Sequence, residues 1–464
     1  MGRKLGFLLL LLLFGATVET AWSVKHHANW DIGAEGCRVI GGRFYGPSFD
    51  FDDETTEALA SSGPVAVENA FGSVTVGAGA PGKVRVKVKK RIFRATREQA
   101  EEFGRKIKVV VEQKDSGLRV TTNREEVTRE NPDVGFETEL SLELPPGTRL
   151  SLKNEHGRVE VRDVAEATID NGFDSLKVER VAGAADLKQR HGDLEVSEVG
   201  GRLRVVSRHG DVTVRGIAGE GDLDVEHGNV TVEGSAGLGV KMAHGTLEVK
   251  TVGGDLKVEA EHAEVTARNV TGSARIATSF DGLTVEGIGG DAILHGEHGR
   301  VTARDVKGAV TVDASFDGVT LETIGGPVEV KVAHGGLDAS GLASGLKVVS
   351  EGDEVKLRRV RGPVEVRTQR GEVSLVPEGP LTESVSIETT HGAVRLEVPA
   401  GSRFELDASA RHGDLEVDLP DAEVVSGNDT KALRATVGGG GNRVFLRAES
   451  GDVTVTRRSE HASN

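Results

Sequence analysis

Residues 191–208 read HGDLEVSEVGGRLRVVSR, residues 244–261 read HGTLEVKTVGGDLKVEAE, and residues 298–315 read HGRVTARDVKGAVTVDAS. The segments align without gaps, and a histidine or its equivalent recurs as a marker at 156, 173, 191, 209, 227, 244, 262, 280, 298, 316 and 334, in steps of 17 or 18. Counted from the marker, apolar residues fall at offsets 3, 5, 8, 12 and 14, glycine usually at 10 and a small residue often at 16. For the unit at His244 these are Leu247, Val249, Val252, Leu256 and Val258, with Gly254 and Ala260. Offsets 3 and 5 predict one short strand and offsets 12 to 16 another, with the apolar residue at 8 between two bends. No helical i, i+3, i+4, i+7 spacing recurs, so a helical solenoid is excluded. Each unit therefore reads as one coil of an all-β, parallel β-solenoid (β-helix), with equal offsets stacked from coil to coil. About fourteen coils at about 4.8 Å each predict a rod of roughly 65–70 Å.

The composition follows from that reading. Gly numbers 62 of 464 residues, while Trp, Tyr and Phe number 2, 1 and 14, so an aromatic-centred core is out of reach. A narrow coil needs sharp corners, and glycine at offset 10 and after the marker supplies conformations that a Cβ penalises. A formal charge of −16 disfavours nucleic acid or an anionic membrane surface as partner. The single cysteine, Cys37, permits no intramolecular disulfide and no cysteine-based zinc site, and reads as an incidental thiol.

Outward from the repeats, residues 1–23 carry the basic, apolar and small-residue order of a secretory signal peptide, with the apolar run Leu5–Phe14 too short for a membrane span. Export to the periplasm, envelope or medium is the expectation, and no integral membrane span is expected in the mature chain. Residues 24–60, ending in Phe49-Asp-Phe-Asp-Asp-Glu54, read as an irregular acidic tether. Residues 61–150 predict a smaller β-rich cap region holding one helix over 96–108, opened by Thr96 and Gln99 as a capping box. The regular solenoid is expected over 151–376, irregular C-terminal coils or a cap over 377–457, and a tail over 458–464.

The marker column is the candidate site. It comprises His156, Phe173, His191, His209, His227, His244, His262, Phe280, His298, Phe316 and His334, and His391 and His412 occupy the same position in later units. A column of imidazoles can hold zinc, copper or nickel, with His191, His209, His227 and His244 as the candidate ligands. Phe173, Phe280 and Phe316 cannot bind metal but can stack, so a structural ladder of flat rings is the preferred reading, with no cofactor. The marker shares parity with the inward offsets, which predicts rings turned at least partly inward and histidine pKa values depressed by burial.

Other chemistry is weak. Asp193, Asp211, Asp281 and Asp317 near the marker lack the nonapeptide calcium pattern and read as turn residues. No coil carries an acidic pair that breaks the repeat, as a glycosidase site would, and Gly438–Gly441 lacks the Lys-Ser/Thr of a phosphate loop. The chain therefore reads as non-enzymatic.

Val65-Ala-Val-Glu-Asn-Ala-Phe-Gly-Ser-Val-Thr-Val76, Leu142-Glu-Leu-Pro-Pro-Gly-Thr-Arg-Leu150 and Asn154-Glu-His-Gly-Arg-Val-Glu-Val161 together resemble the bacterial putative adhesin family, also known as the DUF4097 β-strand repeat family. The resemblance covers about residues 62–457 and implies an extracytoplasmic β-solenoid with no catalytic residues to carry over. This chain departs from the family in placing His and Phe where Asn or Ser is commoner.

The function expected is a repetitive surface for adhesion or cell-envelope binding, with an envelope polymer or protein as partner. Outward residues such as Glu195, Thr213, Glu248, Arg204, Lys257 and Glu329 make a ribbon of mixed charge. The alternatives are a structural or regulatory envelope scaffold, self-associating end to end through exposed edges, and a polysaccharide-active β-helix enzyme.

Overall fold

The structure is a computed structural model describing residues 38–40, 43–45, 47–59, 63–114, 117–132, 134–428 and 431–458. The leader at 1–23, Cys37 and residues 459–464 lie outside the described residues. Among the described residues the fold is all-β, about 67% strand, with a parallel β-solenoid of about 14 turns and two short helices. No described helix is long and apolar enough to cross a membrane. Two compact units divide the chain, Met1–Val178 and Glu179–Asn464.

In the second unit, the coil at His298 consists of the strands Val301–Val306 and Val310–Ala314. Each pairs in parallel with its equivalent one coil on, Val301 with Val319, Val306 with Ile324 and Val310 with Val328. The apolar offsets point inward, where Val301, Ala303, Val306, Val310 and Val312 are essentially inaccessible to solvent. The interior is thus a set of aliphatic columns, each side chain resting on its repeat neighbour.

The corners differ from the sequence reading in an informative way. Offsets 3 to 8 form one strand with a left-handed residue at offset 7, not a strand followed by an isolated apolar residue. Arg180, Glu198, Gly216, Gly234, Thr251, Asn269, Gly287, Asp305, Thr323, Gly341 and Arg359 occupy this column with φ between 52° and 80°. A left-handed conformation costs a residue with a Cβ about 1–2 kcal/mol, and Thr251 and Thr323 are β-branched as well. Stacking of coil on coil holds them there.

Glycine at offset 10 serves a different need from the one expected. Gly308 has no left-handed φ, but a Cβ built on it would lie 2.5 Å from the Gly290 carbonyl oxygen and 2.6 Å from its carbon, one coil below. Close approach of the backbones, rather than a special dihedral, requires the glycine. After the marker the expected reason holds: Gly210 and Gly228 both have φ 136°.

The first unit is not a simple run of coils. Pro64–Asn69 pairs in parallel with Arg149–His156 on one edge and with Gly117–Thr122 on the other, so the coil first in sequence is second in space. Val74–Ala78 is likewise flanked by Val159–Val164 and Phe136–Leu144. Antiparallel strands close the layer, with Lys83–Phe93 on Phe136–Leu144 and Ser48–Ala58 on Lys83–Phe93.

This last strand corrects the expected tether. Phe49 to Glu54 lies within an eleven-residue strand whose carboxylates face the basic side chains of Lys83–Phe93. Asp50 lies 2.9 Å from Arg91 and 3.4 Å from Lys89, Glu54 lies 3.1 Å from Arg85, and Asp53 pairs with the buried Lys90. The helix expected over 96–108 is shorter, Arg97–Gly104, with the Thr96 hydroxyl accepting from the Gln99 amide as the capping box requires. Gly104 ends it, and a second helix, Arg124–Glu130, was not foreseen. Ile92, Ala100, Phe103, Ile107, Val127 and Phe136 join both helices to the sheet in a small separate core.

Inside the first unit runs an amide ladder. The Asn69 amide donates to Asn154 Oδ1 (2.8 Å), and the Asn154 amide to Asn171 Oδ1 (2.9 Å). Each also donates to a corner carbonyl, of Gly72, Gly157 and Asp174 respectively, so the buried amides pin the turns.

The C-terminal region ends the second unit with the same device. Asn442–Ser450 inserts in parallel between Val385–His391 and Phe404–Ala410, and Val453–Arg457 between Val394–Val398 and Leu415–Asp418. Ala432–Val437 then pairs antiparallel with Phe404–Ala410, and Ala422–Asn428 antiparallel with Ala432–Val437.

Two substitutions separate the two roles of small residues at the corners. Gly308→Ala is expected to lower unfolding stability by about 1–3 kcal/mol through overpacking. Thr323→Gly relieves the left-handed strain, and is expected to raise stability by about 0.5–1 kcal/mol after the entropic cost of glycine. Urea denaturation of both variants checks this, and an unchanged midpoint in either removes the corresponding role.

Candidate functional site

The marker residues stack as flat rings. In the second unit His191, His209, His227, His244, His262, Phe280, His298, Phe316 and His334 follow one another at centroid spacings of 5.0, 5.0, 4.8, 5.1, 4.1, 5.2, 4.3 and 5.4 Å. Seven of the eight contacts are within 20° of parallel, and the last, Phe316 to His334, is tilted by 38°. The spacing is that of the strands beneath, about 4.8 Å. Offset-stacked pairs contribute about 0.5–1.5 kcal/mol each beyond area burial. In the first unit His156 stacks on Phe173 at 4.7 Å.

The rings do not turn inward. Phe280 is 49% and Phe316 54% exposed, and His191, His209, His227 and His244 are exposed too. The reason lies in the step before the ring. Ser207 is buried and pairs with Gln189, and His209 pairs with His191, but Arg190 and Arg208 fall out of the ladder. Two consecutive side chains, Arg208 and His209, therefore point outward, and Gly210 then turns the corner. Parity counting assumes an unbroken strand through this point and so places the ring on the wrong side.

Beyond His334 the column changes. Gly352 stands at the next marker position, and His391 lies in register between Arg370 and Ser450. His412 has no described ring neighbour in the column either. Within the first unit the structure adds a rung that sequence reasoning missed: Phe71 lies 5.5 Å from His156. The Arg124 guanidinium sits 4.5 Å from the Phe71 ring and 4.1 Å from Phe136, and donates to the Phe136 carbonyl. The parallel between Asn69-Ala-Phe71-Gly72 and Asn154-Glu-His156-Gly157 was the signal for it.

Parallel stacking constrains what the imidazoles can do. Lone pairs lie in the ring planes, so those of neighbouring rings run side by side and do not converge on a shared point. Among the described residues no group of three or more His, Cys, Asp or Glu is arranged to hold a metal ion, the column of His191, His209, His227 and His244 included. What the ladder does present is a row of ring edges, imidazole donors and acceptors interrupted by the apolar edges of Phe280 and Phe316.

The columns beside the rings are stitched between coils. The Asp193 carboxylate accepts the Asp211 amide (3.1 Å), the Asp211 carboxylate the Asn229 amide (2.8 Å), and Asn229 Oδ1 the Thr246 hydroxyl (2.8 Å). On the strand faces Arg268 pairs with Glu286 (3.3 Å), Arg304 with Glu322 (2.9 Å) and Arg358 with Asp338 (3.0 Å). Exposed pairs of this kind add little stability, but they neutralise the ribbon.

One family model matches this chain, described as Toastrack DUF4097, over residues 66–286 and 246–456. The chain belongs to the Toastrack DUF4097 family. No curated protein matches it. Among solved structures, a putative cell adhesion protein from Clostridium sporogenes is similar at 9% identity and a TM-score of 0.14, over 88% of this chain and all of the other. In this Toastrack chain the ladder places Phe280 and Phe316 among the exposed large apolar side chains, with Ile293 and Val349 elsewhere on the repeats.

His191 bears a measurable consequence of stacking. Desolvation by its neighbours, with a smaller contribution from the charges of His209 and Arg190, holds its pKa below the ordinary histidine value. The unfolded chain then binds the proton first as pH falls. Stability is therefore full above about 6.5, the unfolded value, and declines as pH drops from there towards the folded value. A lower melting temperature at pH 5 than at pH 8 is expected, with a smaller gap in His191→Phe, which keeps a stacking ring. Equal melting temperatures for the parent chain at the two pH values would refute it.

Proposed function

We propose that this Toastrack chain is exported and works without catalysis, using its exposed ring ladder to bind a linear polymer or an extended protein of the cell envelope. The observation that carries this reading is the exposure of Phe280 and Phe316 in a chain whose aliphatic columns are fully buried. An apolar ring left half in water, at a position where the repeat accepts His, has no folding purpose that a polar residue would not serve as well. A partner that repeats along its own length can meet one edge after another, so that many weak contacts add. Opposite charges paired on the strand faces favour a polyhydroxyl or weakly charged partner over a strong polyelectrolyte.

The test is retention on insoluble envelope polysaccharide and on whole envelope preparations. A Phe280→His, Phe316→His double variant, which keeps the stacked rings and removes only the apolar edges, is expected to bind at least about tenfold more weakly, near 1.4 kcal/mol, with an unchanged melting temperature. Equal retention of the two proteins overturns the ladder as the binding surface. Release of soluble sugars during the incubation would overturn the non-enzymatic reading, and recovery from the cytoplasm on cell fractionation would overturn export.

A further inference from the structure

We infer that two copies of this chain join edge to edge through the strand Ala422–Asn428, antiparallel about a two-fold axis at Val425, to form a closed dimer. The inference is independent of the ladder and of what it binds. Ala422–Asn428 pairs along one edge only, with Ala432–Val437, among the described strands. Its Val424 is 60% and Val425 68% exposed, the most exposed large apolar residues described. A register irregularity between Val424 and Ser426 leaves the two valines side by side at the surface. An unpaired edge with apolar side chains and no lysine or proline is a template for another strand.

The other outer edges are guarded. Leu415–Asp418 carries exposed Glu416 and Asp418, with Asp414 just before it. In the first unit Ser48–Ala58 keeps Asp52 and Glu57 exposed outside its ion pairs with Lys83–Phe93. Val109–Lys114 has half-buried valines with the exposed Lys108 just before it. Charge therefore selects the occupant. Head-to-tail stacking would set Glu423 against Asp52 and Glu57, the carboxylates of Ser48–Ala58 outside its ion pairs with Lys83–Phe93, whereas antiparallel pairing of Ala422–Asn428 with itself sets Glu423 opposite Gly427 and Val424 opposite Ser426. Because the same patch serves both partners, the contact closes at two and does not propagate into a fibre.

Analytical ultracentrifugation of the full mature chain tests this. A concentration-dependent monomer–dimer equilibrium is expected, strengthening with salt as the remaining carboxylates are screened. Val425→Lys is expected to shift it to monomer without lowering the melting temperature. In a Cys37→Ser background, Val425→Cys should give a disulfide-linked dimer on mild oxidation, and Thr56→Cys, on the Ser48–Ala58 edge, should not. A monomer at every concentration, a dimer indifferent to Val425→Lys, species larger than a dimer, or cross-linking through position 56 would each overturn the inference.

Discussion

The structure depends on one constraint: every coil must lie about 4.8 Å from the next with its backbone in register, because the interstrand hydrogen bonds run from coil to coil. Lateral displacement at one corner would break pairing on every face. The corner geometry is therefore repeated whatever residue occupies it, which is why Arg180, Glu198, Thr251 and Arg359 share with Gly216 a left-handed backbone that only glycine adopts freely. Strain at offset 7 is distributed over many coils and held by the stacking of all of them. At offset 10 the neighbouring backbone comes too close for any Cβ at Gly308, so there the sequence has to yield instead.

The same spacing makes ladders. Any column of like side chains is brought to stacking distance at no further cost in ordering, and each column uses it according to its chemistry. Amides at Asn69, Asn154 and Asn171 chain their hydrogen bonds through the interior. Carboxylates at Asp193 and Asp211 take the amide of the next coil, and opposite charges at Arg304 and Glu322 neutralise one another. His and Phe exchange freely in the outer column because what that column requires is a flat ring of suitable size, not a proton or a lone pair.

How much of this was legible follows from how local each signal is. The coil and its period were legible because burial at Val301, Ala303 and Val310 is imposed by alternation within a few residues. Ring stacking was legible because it needs only the period. Ring direction was not, since it turns on one step, Arg208 to His209, that leaves the ladder without any marker in residue type. The left-handed column stayed hidden because seven of its eleven residues in the second unit are not glycine. The strand Ser48–Ala58 looked like a tether because its basic complement lies some thirty to forty residues away in Lys83–Phe93, a distance at which charge matching has no sequence pattern.

The ends show what the constraint cannot supply. A stack of identical coils offers no reason to stop, and each terminal coil exposes the same unpaired edge that the interior coils use for cohesion. Both units solve this by leaving sequence order: Pro64–Asn69 and Asn442–Ser450 are each enclosed between two other parallel strands, and antiparallel strands follow outside. An antiparallel strand cannot continue the coil, because the next parallel turn would need the opposite hydrogen-bond phase. The solutions differ in their outermost strand. Ser48–Ala58 keeps Asp52 and Glu57 exposed outside its ion pairs with Lys83–Phe93, while Ala422–Asn428 has a kink in its register beside two exposed valines. Termination of the coil and protection of the edge are thus separate problems, and at the C-terminal end only the first is solved within a single chain.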